Sequence, residues 1–502
     1  MNRTEFPRVS PEQVGISSRV IDDLFEQVQR GPTQMHGMMV MRHGCVCAEG
    51  WWQPYAPGKR HTCHSLTKTY MGTAIGIALR ENALRLEDRA IDYFPEYRAG
   101  TTLPGVTIRD VLCMASGVAS FPQPTEHWIR DFFLQPRVHA PGTSFFYNSA
   151  GSTLLGFIVQ RATGEPVYEY LRTRLFERIG IDPDNSFPTT DSPAHDLWAH
   201  RMLATTEDNL RLMKLYLDGG TWEGERILNE EYVRLATSKQ IETISEGTPN
   251  PNGLDNQYGY GFQMWMCRPH GVYRADGAGG QYSIVAPELD IVVAVSESGT
   301  GAEGPQHTLN CIWDGLFPHV SSVSLPEDAA AFSDLGHKLK RLAIEAPPYK
   351  PWSPMAVAVS GVKYAISEGA FDLYYRNVPP LFRSDPAAVD SFSLTFSVME
   401  GSFCWAGKDF SICRVNFALD GGWRRNQIDS PDVNARECYA AGYWSADDTF
   451  TLLLHWTESL VEKRISFHWD GAQVAISGVG DYMPGNEDMG SRFSAAAFAL
   501  RG

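Results

Sequence analysis

Ser65 and Lys68 stand three residues apart in the stretch His61-Thr-Cys-His-Ser-Leu-Thr-Lys-Thr-Tyr70. A serine hydroxyl is a weak nucleophile until a base takes its proton. A lysine can be that base only where burial or a neighbouring charge keeps it neutral. The following run, Thr69 to Arg80, is apolar enough for a buried helix. A helix starting at the serine would set both side chains on one face, about one turn apart. Its free N–H groups and positive dipole end would surround the serine oxygen, where acyl transfer develops negative charge. The spacing alone is weak, because Ser360-Gly-Val-Lys363 repeats it. Around that copy Val357, Val359, Val362, Tyr364 and Ile366 alternate as in a strand, and no helix follows. Ser65 therefore needs support from elsewhere in the chain.

Two further stretches offer it. Tyr147-Asn-Ser149 precedes an apolar helical run, and Ala275-Asp-Gly277 leads into Ala278-Gly-Gly-Gln281 between two strand-like runs. Taken singly, the first reads as turn chemistry and the second as a hairpin turn.

The elements that must position them follow in order. Residues 17 to 30 form an amphipathic helix that Ser17 or Ser18 can cap, with Val20, Ile21, Leu24, Phe25 and Val28 at helical spacing. A hairpin over residues 38 to 52 turns at His43-Gly44. Helices are expected at 107–114, 153–162, 167–179 and 205–217. The loop-rich stretch 118–140, with Trp128, Phe132 and Phe133, either lines a pocket or is held at the surface by its own aromatics. Strands are expected near 258–265, 272–275, 281–286 and 291–295, the last β-branched and so central. Helices at 306–316 and 329–342 would return to that sheet. After a proline-rich linker, 346–355, the pattern alternates as β structure, suggesting an antiparallel barrel or sandwich over 356–502. The domains expected are thus 1–345, with a helical insertion at about 66–255, and 356–502.

Composition bounds the rest. With 502 residues, 43% hydrophobic and 20% charged, the chain has the makeup of a soluble globular protein of two or three domains. A net charge of −16 argues against nucleic-acid and anionic-membrane partners. No apolar run reaches the roughly 18 to 20 residues that span a bilayer. The first residues lack a secretory pattern, so a cytoplasmic protein is expected. The nine cysteines are odd in number and scattered, as for reduced thiols. Cys45 and Cys47 share a strand face, but no second Cys/His pair has zinc-like spacing, so neither metal nor cofactor is expected.

In order and spacing, the three stretches resemble the serine hydrolases of the class C β-lactamase, penicillin-binding-protein and carboxylesterase family. Ser65-Leu-Thr-Lys68 is similar to its first motif. Tyr147-Asn-Ser149 is similar to its second, a Tyr-x-Asn/Ser. Ala275-Asp-Gly277 lies where its third, typically Lys-Thr-Gly or His-x-Gly, is carried on a strand. Thr107 to Gly117, Gly156-Phe-Ile-Val and Pro287-Glu-Leu-Asp-Ile-Val add to the likeness, which covers roughly residues 10 to 320.

The resemblance implies an α+β fold of the β-lactamase/transpeptidase kind, an antiparallel sheet flanked by helices with a helical subdomain. It also implies that Ser65 accepts the acyl group. Lys68 and Tyr147 would transfer protons, their division of labour being a coupled titration that sequence leaves open. The backbone N–H groups of Ser65 and Ala278 would form the oxyanion hole, and Ser149, Asp276 and Gly277 would meet the substrate. The C-terminal third resembles β-barrel modules appended to some members; it could cover the pocket, mediate a homodimer or stabilise the chain.

The departures bear on substrate. Where β-lactamases use a cation to hold a carboxylate, this chain has Ala275 with the acidic Asp276 beside it, and Ser149 replaces an Asn. A negative charge there opposes a carboxylate and could attract an amine. Both changes favour a small-molecule ester or amide substrate over a β-lactam. The alternatives are a D-amino-acid peptidase or amidase, a β-lactamase, and an inactive penicillin-binding-like scaffold. A nucleotide site finds one foothold in Gly299-Thr-Gly-Ala-Glu-Gly304, but Glu303 would repel a pyrophosphate and no βαβ unit surrounds it.

Overall fold

The computed structural model describes residues 4–120, 127–182, 202–244, 248–299, 303–371, 373, 389–407, 410–428, 437–460, 462–482 and 491–500. The chain divides into two compact units. One comprises residues 1–51, 57–297 and 301–342; the other comprises 52–56, 298–300 and 343–502.

The first unit is built on a six-stranded sheet. Its strands are β1 (Gln34–Arg42), β2 (Cys45–Trp51), β3 (Trp265–Met266), β4 (Tyr273–Gly277), β5 (Gln281–Ala286) and β6 (Ile291–Ser298), in the order β2-β1-β6-β5-β4-β3. The β1–β2, β3–β4, β4–β5 and β5–β6 pairs are antiparallel. β6 is buried along its whole length, in keeping with a central strand whose residues 291–295 are almost wholly β-branched.

Helices cover the sheet and fill the long excursion between β2 and β3. Helix α1 (Ser18–Gln29) begins where the Ser17 side chain accepts the Arg19 N–H. Helix α2 (Thr67–Arg80) is buried from Thr67 to Ala78, so it lies in the core rather than against it. It packs on helix α3 (Ser149–Thr163). Gly76 is what allows Tyr232 to lie on α2, because a Cβ there would overlap the tyrosine ring. Helix α4 (Thr206–Leu217) opens with a capping box between Thr205 and Asp208.

The second unit is a β barrel. Strands Lys363–Gly369, Val389–Phe396, Glu400–Gly407, Phe410–Ala418, Glu437–Ala446, Thr449–Trp456, Glu462–Asp470, Gln473–Tyr482 and Ser491–Ala499 run antiparallel to their neighbours around the wall. The wall closes between Ala418 and Ala441, and this pair is parallel. Closure after an odd number of alternating strands forces one parallel seam: among the described residues nine of this sheet's ten strands form the wall, and the tenth, Arg424–Gln427, pairs with Glu437–Ala446. Inward side chains interlock, with the Phe392 ring 5.4 Å from Phe467 and 6.0 Å from Phe403. Tyr55 belongs to this unit, its hydroxyl 2.8 Å from His455 Nε2, while His455 Nδ1 meets Glu462 at 2.9 Å.

Several elements differ from their sequence patterns. Residues Met355–Val359 form a short helix rather than a strand, with Ala356 and Val359 buried; the alternation there spans too few residues to separate period 2 from one helical turn. Within the stretch 118–140, Trp128–Phe133 is a short helix whose Trp128, Phe132 and Phe133 enter the hydrophobic core. These aromatics are buried in the core rather than held at the surface, and they are not among the residues that line the cavity at Ser65. The helix expected at 167–179 is interrupted by a π-helical turn at Arg172–Phe176. Residues 300–302 of the glycine pattern, residues 121–126 of the loop-rich stretch, and residues 372 and 374–388 of the expected β region lie outside the described residues.

Candidate active site

Ser65 sits one step before α2, in a 3₁₀ turn over His64–Leu66. The turn is entered through His64 in a left-handed backbone conformation (φ 43°). Such a φ is costly for a side-chain-bearing residue and is commonest where a site needs it. Lys68 lies in the first turn of α2 and is 1% exposed. Its Nζ is 2.9 Å from Ser65 Oγ. Burial pushes the Lys68 ammonium down to about 7, against a weaker pull upward from Asp276. Burial and the Lys68 charge hold His64 down to about 4, so it stays neutral.

Tyr147 arrives from the far side, just ahead of α3. Its hydroxyl is hydrogen-bonded to Ser65, and burial pushes its phenol well above the ordinary value. The Lys68 Nζ lies 5.0 Å from the centre of its ring. The ring is held by stacking on Trp265 (5.6 Å, 21°) and by an edge contact with Tyr260 (6.4 Å). Asn148 caps α3, its Oδ1 accepting from the Ala150 and Gly151 N–H groups at 3.0 and 3.4 Å. Ser149 is the first residue of α3 and is not among the residues that line the cavity.

Gln263 ties these helices together. Its carbonyl accepts from Thr69 in α2 (2.9 Å), its Oε1 from Ser152 in α3 (2.6 Å), and its Nε2 donates to the Leu112 carbonyl (2.8 Å). The helices that follow Ser65 and Tyr147 are thereby joined through one buried residue.

The third stretch closes the site. β4 runs into a turn that the Gly280 N–H closes on the Gly277 carbonyl (3.2 Å), leaving Ala278 at its start. Gly277 packs against the Cys63 carbonyl so closely that a Cβ would overlap it. A glycine is therefore what lets the strand reach the Ser65 turn. Gly280, at φ 98°, rests on Glu297 in the same way. Glu297 is wholly buried and its Oε2 accepts from Thr33 (2.8 Å) and Thr308 (2.6 Å); burial pushes it up to about 8.

Alternation along β4 sends Tyr273 and Ala275 into the core and turns Arg274 and Asp276 toward the cavity. This corrects the reading of Ala275 as the position that would meet a substrate carboxylate. Asp276 is not an isolated negative charge either, because Arg274 Nε donates to its Oδ2 at 2.8 Å. Burial raises the Asp276 carboxyl above its ordinary value, and Arg274 pulls it partly back. Arg274 escaped the sequence reading, although its place two residues before Asp276 on a strand puts both on one face.

Ser65, Tyr147, Trp265, Arg274, Asp276, Tyr282 and the turn from Gly277 to Gly280 line a cavity of about 250 Å³. The arrangement joins a hydroxyl to a buried amine near its neutral form, a phenol that keeps its proton, and a glycine-rich turn of backbone N–H groups. These are the parts of an acyl-transfer site. Among the described residues no cluster of three or more His, Cys, Asp or Glu side chains is placed to hold a metal ion, and no helix is long and apolar enough to cross a membrane.

A family model described as Beta-lactamase matches residues 21–310. The 6-aminohexanoate-dimer hydrolase of Paenarthrobacter ureafaciens is 26% identical over 301 residues, covering 54% of this chain and 74% of that protein. Penicillin-binding protein 4 of Amycolatopsis lactamdurans is 26% identical over 304 residues, covering 52% of this chain and 77% of that protein. Among solved structures, a penicillin-binding protein homologue from Caulobacter crescentus aligns with a TM-score of 0.50 at 17% identity, over 62% of this chain and 100% of that chain.

Proposed function

The chain belongs to the beta-lactamase family, and from that premise we propose that it is a serine hydrolase cleaving an ester or small amide through an acyl-enzyme on Ser65. The observation that carries this reading is the contact of Lys68 Nζ with Ser65 Oγ, made by a buried lysine held down to about 7. At neutral pH much of that amine is unprotonated and can accept the serine proton, while burial favours the protonated form of the Tyr147 phenol, which suits it to give a proton.

In this reading Ser65 Oγ attacks the carbonyl carbon as its proton passes to Lys68. The oxyanion is held by the Ser65 and Ala278 N–H groups. As the tetrahedral intermediate collapses, Tyr147 gives its proton to the departing alkoxide or amine and regains one from the Lys68 ammonium. Water then attacks the acyl-enzyme, giving a proton to Lys68; as the second tetrahedral intermediate collapses, Lys68 returns that proton to Ser65 Oγ, the carboxylic acid leaves and Ser65 and the neutral amine are both restored. The name of one relative, 6-aminohexanoate-dimer hydrolase, supports hydrolysis. The test is a fluorophosphonate probe followed by mass spectrometry. An adduct on Ser65 that is lost in Ser65→Ala supports the reading, and the absence of any adduct on Ser65 overturns it.

A further inference from the structure

Resting on the Ser65 acyl-enzyme reading, we propose that Gln281 is a positioning residue of the reaction. Its side-chain amide locks the central peptide of the Gly277–Gly280 turn, keeping the Ala278 carbonyl oxygen away from the oxyanion. Three observations lead there.

The first is the shape of the turn. The Gly280 N–H closes it on the Gly277 carbonyl, and Gly279 takes φ 83° whereas Ala278 has no positive φ. This is a type II turn, which differs from type I by a half-turn of the peptide between Ala278 and Gly279. Rotating that peptide would carry the Ala278 oxygen to the face where the Gly279 N–H now stands. Ala278, Gly279 and Gly280 line the cavity at Ser65, so the rotated oxygen would oppose the negative charge that forms there.

The second is what holds the peptide. Gln281 begins β5 opposite Gly277, is 1% exposed, and is not among the residues that line the cavity. Its Nε2 donates to the Glu297 carbonyl at 2.5 Å and, over a longer 3.4 Å, to the Ala278 carbonyl. Both partners are acceptors, so the amide can stand only this way round. The bond to Glu297 anchors the side chain to β6, and the bond to Ala278 holds the turn from its buried side. There is little slack, since a Cβ at Gly277 would lie 2.9 Å from Gln281 Cβ.

The third is the cost. Gln281 Oε1 is buried and has no hydrogen-bond partner among the described residues, which is unfavourable. A methionine would remove that orphan but take the Gln281 donor from the Glu297 carbonyl. The two effects are of one kind and offset, so stability gives glutamine no advantage here. Its advantage is the hydrogen bond that reaches the turn.

Gln281→Met tests this, with Gln281→Leu as a second apolar variant. The probes are trifluoromethyl propyl ketone and the alcohol made by reducing it. Ser65 Oγ adds to the ketone carbon as its proton passes to Lys68, and the carbonyl electron pair becomes an oxyanion; the alcohol cannot add. In Gln281→Met the ketone should bind at least ten-fold more weakly, and the alcohol within about two-fold of wild type. Acylation by p-nitrophenyl butyrate should slow at least ten-fold, while the melting temperature moves by less than about 4 °C. If ketone affinity stays within about three-fold of wild type while Ser65 still labels with fluorophosphonate, the positioning role is wrong and the acyl-enzyme reading stands. Equal losses for ketone and alcohol, or failure of both variants to fold, also overturn the proposal, because a purely structural role gives those results. If wild-type Ser65 does not label at all, both readings fall.

Discussion

Gly280 lies directly on the buried carboxyl group of Glu297, so closely that a Cβ at 280 would overlap Glu297 Oε1. The backbone there has φ 98°, a conformation that side chains other than hydrogen resist. Gly280→Ala therefore meets both a strained φ and a clash, and should destabilise the protein by about 1–3 kcal/mol. Denaturant unfolding measures this, and an unchanged midpoint would show that the turn is looser than its packing indicates.

Glu297 itself predicts a pH dependence of stability. Burial raises its carboxyl from the ordinary 4.5 to about 8. The folded state keeps this proton over an interval in which the unfolded chain has released it. Stability from this group is thus fully present below about pH 4.5 and is lost as pH rises to about 8, with a slope of up to ~1.4 kcal/mol per pH unit. Glu297→Gln removes the ionisation and keeps the acceptor for Thr33 and Thr308. The variant's melting temperature should fall less than that of wild type between pH 5 and pH 8. Equal falls would contradict a buried, neutral Glu297.

Gly277→Ala should act on chemistry. A Cβ at 277 presses on the Cys63 carbonyl, two residues before Ser65, and must push β4 and the Ala278 N–H away from the nucleophile. Loss of one oxyanion donor costs about 10²–10³ in kcat. Acylation rates are expected to fall by that order, and a change below about three-fold would remove Ala278 from the oxyanion hole.

Tyr147→Phe keeps the ring that stacks on Trp265 and removes only the hydroxyl at Ser65. Unfolding should change little. Turnover of an unactivated alkyl ester such as ethyl butyrate, whose alkoxide must be protonated as it leaves, should drop by about 10²–10⁴, the usual contribution of a placed acid or base. Turnover of p-nitrophenyl butyrate, whose phenolate leaves without a proton, should drop less. Near-normal turnover would mean that the leaving group is protonated by another group.

The comparison of nitrocefin with p-nitrophenyl butyrate probes the cavity wall. Ala275 is buried in the core, and Arg274 is already matched by Asp276 and Asp255, so a β-lactam carboxylate finds no unmatched cation on β4. Ester turnover should exceed nitrocefin turnover by at least ten-fold. Efficient nitrocefin cleavage would contradict this account of the wall.

Much of this arrangement was legible in the sequence, because it rests on local signals. Ser17, Thr107 and Thr205 cap helices as their types require, and the β-branched run at 291–295 is central for want of a polar face. Ser65 and Lys68, read from one stretch, and Tyr147, read from another, are brought within contact. What escaped depends on tertiary neighbours. Gln263 gives no local sign that it joins two helices to a third segment, and Glu297 looks like any strand-end carboxylate until Gly280 is seen resting on it. Arg274 could have been found from the i, i+2 rule, since Asp276 had already been singled out. The parallel seam at Ala418 and Ala441 follows from the parity of the barrel, which no single strand reveals.

The central claim is that a neutral Lys68 activates Ser65, and the pH dependence of Ser65 labelling by a fluorophosphonate tests it most directly. The lysine must lose its proton before it can accept one, so the labelling rate should rise with pH through an apparent pKa near 7 and level off above it. A rate that is flat from pH 5 to pH 9, or that is still rising through pH 10, would contradict it.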